Sequence, residues 1–258
     1  MKKSLIPILA IAGLAAISPG LSAATLAIPV DIAGGDFLLM EPGSTETRSA
    51  TQDSSAGWNS GTARSTIFAF DLPSSTDSIT SVDFTTYYRQ MRDTDSSSAD
   101  LTLTDVSLFV KINNGSVPTT DFIAPADFSS APSGWTTIQL DFLDGSTAGA
   151  GSNTAPPAYS LSSAGNTALT SFLNDFYTNT GYTSGDQLLV SLALDLNTQT
   201  PNGNANFKFD FYPTSNGNSG TGTATSLSIV SIPEPGSAVL VGAGLGCLLL
   251  GRRRRRTA

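Results

Sequence analysis

The sequence predicts an all-β fold, two antiparallel sheets packed face to face as a sandwich with one short amphipathic helix, between an N-terminal signal peptide and a C-terminal single transmembrane helix. Three observations lead there. Some ten short segments alternate apolar and polar residues between turns rich in Ser, Thr, Gly, Asn and Asp. One stretch alone changes to a helical period. Both ends carry long uncharged apolar runs flanked by basic residues.

In chain order, Lys2 and Lys3 form a positive start, residues 5–17 an apolar stretch, and Pro19 and Gly20 break it ahead of Ser22 and Ala24. This is a secretory leader, 1–24, with cleavage expected after Ala24 or Ala23. Strands are then expected at 25–32 and 35–40, and the polar run 41–61 is read as a long loop. Residues 65–71 place Thr66, Phe68 and Phe70 on one face and Ile67 and Ala69 on the other. Apolar residues on both faces call for a strand covered on both sides. In 78–88, Val82, Phe84, Thr86 and Tyr88 make the natural inner face.

Residues 93–100 read as an acidic loop, and 101–112 resumes as strand with a parity change near Asp105 that points to a bulge or two shorter strands. Asn113, Asn114 and Gly115 signal a tight turn. Residues 135–142 form another strand, with Ile138, Leu140 and Phe142 on one parity. Leu169, Phe172, Leu173, Phe176 and Tyr177 then fall at helical spacing, with Asn166 or Thr167 as the cap and 179–181 as the end. So lone a helix is expected to cover an open end of the sandwich. Strands return at 187–196, 206–212 and 223–232.

The chain closes on Pro233, Glu234 and Pro235, an apolar run and the block Arg252, Arg253, Arg254, Arg255 and Arg256. Residues 236–251 carry no charge and as a helix would reach roughly 24 Å against a hydrocarbon core of about 30 Å. Five arginines resist translocation, so the end stays cytoplasmic and the prolines lie across the membrane. The prolines also push Ile232 and Glu234 towards extended backbone that a processing enzyme can grip.

Composition narrows the chemistry. Seven of the thirteen basic residues lie at 2–3 and 252–256, leaving six against twenty acids in residues 25–231, a formal charge of −14. Nucleic acid does not suit such a surface, whereas cations, hydroxylated polymers and basic groups do. The chain has no histidine and one cysteine, Cys247, inside the apolar tail. The exported part therefore has no disulfide, thiol nucleophile, Ser-His-Asp triad or histidine zinc site.

Two clusters remain as candidate sites. Asp93, Asp95 and Asp100 offer carboxylates separated by hydroxyls, a composition that suits Ca²⁺ without the spacing of an EF-hand, or an ordinary solvated loop. Trp58, Tyr87 and Tyr88 offer flat rings for stacking on sugars, or core packing. Tyr87 and Tyr88 point to opposite faces of one strand, so at most one of them is expected in the core.

The tail resembles the PEP-CTERM sorting signal of Gram-negative bacteria: a Pro-Glu-Pro motif, here Pro233, Glu234 and Pro235, a short transmembrane helix at 237–251 and a basic end, together spanning 232–258. The resemblance implies a substrate of exosortase, a membrane-embedded transpeptidase-like enzyme, and release or transfer to the cell surface after transient anchoring in the inner membrane. Further in, Phe70, Asp71 and Leu72, then a turn, then Thr80 and Ser81, together with the later order of helix and strands, resemble DNRLRE-type domains over roughly 30–230. That resemblance implies a jelly roll related to carbohydrate-binding modules. Three functions stay open. The first is a non-enzymatic surface or matrix protein of an extracellular polysaccharide layer, in biofilm or floc. The second is a carbohydrate-binding module, and the third a polysaccharide-degrading enzyme with two facing carboxylates.

Overall fold

Alternation of inward and outward residues builds twelve strands, one α-helix and several tight helical turns in a computed structural model of the chain. It describes residues 24–29, 37–49, 51–74, 78–94, 97–148, 152, 154–202, 206–219 and 221–232. The leader through residue 23 and the tail from Pro233 onward lie outside these residues, as does Asp95. Among the described residues, no helix is long and apolar enough to cross a membrane. The strands belong to one unit, Thr25–Ser231.

The strands are β1 (Ala24–Pro29), β2 (Phe37–Glu41), β3 (Ser44–Thr47), β4 (Ser54–Asn59), β5 (Thr62–Asp71), β6 (Ser78–Asp93), β7 (Asp105–Asn114), β8 (Thr136–Asp144), β9 (Ala158–Ser160), β10 (Asp186–Asp195), β11 (Phe207–Tyr212) and β12 (Ser226–Ile232). They form one curled, mainly antiparallel sheet in the order β1-β12-β6-β11-β4-β5-β10-β7-β8, with β2 on β5, β3 on β2 and β9 on β6. The curl turns on β5. Its start, Thr62 to Arg64, pairs with β4, while the stretch from Thr66 to Asp71 pairs with β10. We call the strands on the β4 side the first half and those on the β10 side the second half.

Across the curl the halves share a main core. Phe84 of β6 meets Phe68 and Phe70 of β5 at ring distances of 5.6 and 6.1 Å, and Phe142 of β8 at 5.9 Å. From β11 the same core takes Phe207, Phe209 and Phe211. The expected inner face of β6 is borne out: Val82, Phe84, Thr86 and Tyr88 are all buried. So is the double covering of β5. Phe68 and Phe70 enter the main core, and Ile67 and Ala69 enter a second core on the outer face, with Leu38, Phe109, Ile123 and Leu189. A roof formed by residues 115–135, between β7 and β8, covers that face. Phe128 of the roof stands edge-on to Phe109 at 5.0 Å.

Several sequence expectations need correction. The polar run 41–61 is no loop, since it holds β3 and β4. Ser54, Ser55, Ala56 and Gly57 of β4 are buried but small, so the strand lacks the bulky alternation that marks its neighbours. The parity change near Asp105 comes from a single turn of 3₁₀ helix, Leu101–Leu103, that precedes β7. In β8 the single parity fails. Leu143 pairs with Val106 and Gln139 with Leu108, so a bulge around Asp141, at φ +54°, sends Leu140 to the second core and Phe142 to the main one.

The helix α1 (Ser163–Asp175) starts four residues earlier than expected, capped by the Ser162 hydroxyl on the Gly165 N–H at 3.1 Å rather than by Asn166 or Thr167. It continues as one wide turn to Thr180 and ends at Gly181, φ +79°. Leu169 and Leu173 face the main core. Its polar side chains meet the backbone of β6. Thr170 Oγ1 accepts from the Val82 N–H at 2.8 Å, and Asn174 both accepts from the Ile79 N–H at 3.2 Å and donates to the Ile79 carbonyl at 2.8 Å. These bonds do for the start of β6 what a neighbouring strand would.

Candidate functional site

Of the carboxylates expected for Ca²⁺, Asp93 and Asp100 accept local hydrogen bonds, and Asp95 lies outside the described residues. Asp100 accepts from the Thr102 N–H at 2.9 Å and its hydroxyl at 2.7 Å, capping the turn at Leu101–Leu103. Those bonds hold the Asp100 carboxyl below its usual range. Asp93 accepts from the Leu101 N–H at 3.3 Å. Among the described residues, no group of three or more acidic or other metal-ligating side chains is arranged to hold a metal ion.

The proposed sugar-stacking rings are wholly or partly covered. Tyr88 is 0 % and Tyr87 6 % exposed, so both are buried, but on opposite faces of β6, and of the two only Tyr88 belongs to the main core. Tyr88 packs edge-on to Tyr159 at 5.8 Å, and burial pushes its hydroxyl far above the usual range. Trp58 opposes Phe207 in register and packs partly buried against the main core. The two tyrosines are thereby closed to a sugar, and Trp58 is partly so. The sorting residues Pro233, Glu234 and Pro235 and the arginines 252–256 lie outside the described residues.

Two carboxylates do meet in a shallow cleft of about 250 Å³ lined by Asp105, Asp141, Asp144, Thr102 and Asn197. The β8 bulge turns Asp141 towards Asp105. Burial first, then the neighbouring Asp141 charge, pushes the Asp105 carboxyl up, while hydrogen bonds from the Asn197 amide and the Gly145 N–H oppose the shift. Asp144 is held low by the Ser146 N–H at 2.7 Å and its hydroxyl. Asp105 and Asp141 touch directly, and glycosidase carboxylates stand about 5 to 9 Å apart to admit a sugar or a water.

The most elaborate arrangement is one that sequence reading missed. On β11, Phe207, Phe209 and Phe211 point inward, so Lys208, Asp210 and Tyr212 take the outer face of the first half. Register places Arg64 of β5, Gly57 of β4, Lys208 of β11 and Arg92 of β6 directly opposite one another in a single row across four strands. The adjoining row runs Ser55, Asp210, Gln90. Gly57 has φ +127°, and a Cβ there would lie 2.3 Å from the Phe207 carbonyl oxygen and 2.9 Å from Lys208 Cβ. The backbone therefore demands glycine, and the Lys208 stem passes over the space it leaves.

Asp210, fully buried, is the hub. Lys208 Nζ lies 2.9 Å from it, the Gln90 amide donates at 2.9 Å, and Arg92 Nε and Arg89 Nη1 stand at 3.5 and 3.9 Å. Arg89 also pairs with Asp53 and lies over the Tyr212 ring at 5.2 Å. Arg64 binds Glu41 at 2.8 Å. Lys208 is only 5 % exposed. Burial lowers its affinity for a proton, Arg92 and Arg64 add to that, and Asp210 pulls the other way.

Four of the six cations between residues 25 and 231 thus gather here, against Glu41, Asp53 and Asp210. The other two, Arg48 and Lys111, pair elsewhere, with Glu46 and Asp121. Net charge hid this segregation, because residues 64, 89, 92 and 208 converge only through strand register. No protein-family model matches the chain, and no curated protein matches it.

Proposed function

We propose that this chain is an exported, non-enzymatic surface protein, a substrate of an exosortase-type sorting enzyme, whose β unit associates with extracellular polysaccharide. The observation that carries the reading is the bracketing of a folded unit by two addresses. A leader with cleavage after Ala24 precedes it, and the Pro233, Glu234, Pro235 motif with its apolar run and arginine block follows. The protein would pass the inner membrane, stay briefly anchored by residues 237–251, and finish on the surface or in the matrix of a Gram-negative-type cell. The two halves of the curled sheet, facing each other across one core, support a jelly-roll-like sandwich as the fold behind this role.

A ring-platform carbohydrate module is the weaker form of the same idea, because Tyr87 and Tyr88 are buried and Trp58 packs partly against the main core. Polysaccharide hydrolysis is disfavoured by direct contact between Asp105 and Asp141. The test is processing in a host that carries the sorting enzyme. Mature protein should shorten at both ends and reach the surface fraction, whereas Glu234→Ala together with Pro235→Ala should leave a membrane-bound, longer form. Unchanged mass and location of that double variant would sink the sorting role.

A further inference from the structure

Of the two lysines between residues 25 and 231, Lys208 is 5 % exposed and lies against Asp210, which is 0 % exposed. Nothing in the sorting role uses this buried pair. We infer that Lys208 Nζ and the Asp210 carboxyl carbon join as an intramolecular amide, closing a side-chain ring within β11. The bond goes beyond the sorting reading and would stand if that reading fell.

Three features carry it. First, the two groups touch without a directed hydrogen bond. Nζ stands 2.9 Å from Oδ1, yet Oδ1 has no hydrogen-bond partner. The strand itself brings them together, because residues two apart share a face and Lys208 and Asp210 both take the outer one. Holding amine and carboxyl in this way replaces a bimolecular encounter by a step within one chain.

Second, the surroundings favour the neutral amine that attacks. Burial loosens the Lys208 ammonium's hold on its proton, and Arg92 and Arg64 add to that, while Asp210 opposes them. Desolvation and neighbouring cations are what make a lysine nucleophilic. Third, the two carboxylate oxygens differ. Oδ2 accepts from the Gln90 amide at 2.9 Å and faces Arg92 Nε at 3.5 Å and Arg89 Nη1 at 3.9 Å. Among the described residues, Oδ1 meets only Lys208. Oδ2 is therefore the oxygen on which negative charge can gather in a tetrahedral intermediate.

The step balances without an oxidant or co-reactant. A proton passes from the Lys208 ammonium to Oδ1, and the freed nitrogen pair bonds to the carboxyl carbon, pushing electrons onto Oδ2. A second nitrogen proton then moves to Oδ1, the carbon–Oδ1 bond breaks, and water leaves as the carbonyl to Oδ2 re-forms. Lys111 and Asp121 supply the contrast. Their Nζ and Oδ1 are closer, at 2.6 Å, but a directed hydrogen bond joins them, the Lys111 side chain is 22 % exposed, and Asp121 Oδ2 has no donor. That pair stays ionic.

The test is mass spectrometry of the purified full chain, intact and after trypsin. The bulk of the chains should be lighter by one water. Trypsin should cut after Lys111 but not after Lys208, so residues 112–252 emerge as one peptide, with the loss mapping to Lys208 and Asp210. Lys208→Arg should keep its full mass. Asp210→Asn, close to the native shape, should reach the same final mass as the parent by releasing ammonia in place of water. A parent of full mass that is cleaved after Lys208 overturns the bond, as does water loss that survives Lys208→Arg. An Asp210→Asn chain that retains its ammonia overturns the assignment of Asp210 as the acyl partner.

Discussion

The two halves of the sheet both bury their outer faces, and they do so by opposite means. The second half lays residues 115–135 over Ile67, Ala69 and Phe109, an apolar roof on an apolar floor. Lys111 ties the roof down, pairing with Asp121 at 2.6 Å and lying over the Trp135 ring at 5.5 Å. The first half instead sets long cationic side chains around buried Asp210. Apolar atoms need no partner of matching charge, so the roof closes over its floor by shape alone. Charges must also be matched by counter-charges, and on the first half buried Asp210 draws Lys208, Arg92 and Arg89 together.

The largest effect should come from opening the apolar roof. Phe109→Ala removes a fully buried ring and its contact with Phe128, and chemical denaturation should show a loss of about 4 kcal/mol. Nearly as large, Asp210→Ala strands buried Lys208 without a counter-charge and should cost about 3 kcal/mol. The double change Lys208→Met with Asp210→Leu should recover most of that loss, because apolar side chains can replace a buried ion pair. A double variant as unstable as Asp210→Ala would show that the charged face holds the half together by more than charge balance.

Smaller effects sharpen the contrast at single groups. Tyr177 donates to the Pro73 carbonyl at 2.6 Å, and Tyr177→Phe should cost about 1 kcal/mol at neutral pH. Burial raises the Tyr177 hydroxyl from 10.0 to about 12. Its protonated form is favoured in the fold, so its stabilisation is complete below pH 10 and fades as pH rises towards 12. The melting temperature of Tyr177→Phe should therefore fall less steeply across that window than that of the parent. The smallest change concerns Asp105, a buried carboxylate facing another with no cation between them. Its raised affinity for a proton means that ionisation at neutral pH opposes folding. Asp105→Asn should raise the melting temperature by about 2 °C at pH 7, an advantage that shrinks as pH falls and Asp105 takes up its proton.

How legible each part was depends on how local its cause is. The β character, the inner face of β6, the double covering of β5 and the helical stripe through Leu169 and Leu173 are periodicities, and periodicity is read from neighbours in sequence. The strand β4 was missed because Ser54, Ser55, Ala56 and Gly57 are buried by their neighbours' bulk rather than their own. The kink in β8 escaped notice since it follows from pairing with β7, not from the residues around Asp141. Rings at 58, 87 and 88 were read as a surface because polar neighbours flank them, yet burial on both faces of β6 drew the tyrosines in. The cationic row is the extreme case. Arg64 and Lys208 stand 144 positions apart and meet only because β4 joins β5 to β11.

The hydrogen bonds from Thr170 and Asn174 to β6 reach beyond local order. An uncovered strand margin is a template on which identical chains stack. With the Val82 N–H and both Ile79 backbone groups already engaged by α1, an incoming chain has fewer groups to pair with there. The helix thereby acts as a solubility device for crowded surroundings, and weakening it would favour fibres before it favoured unfolding.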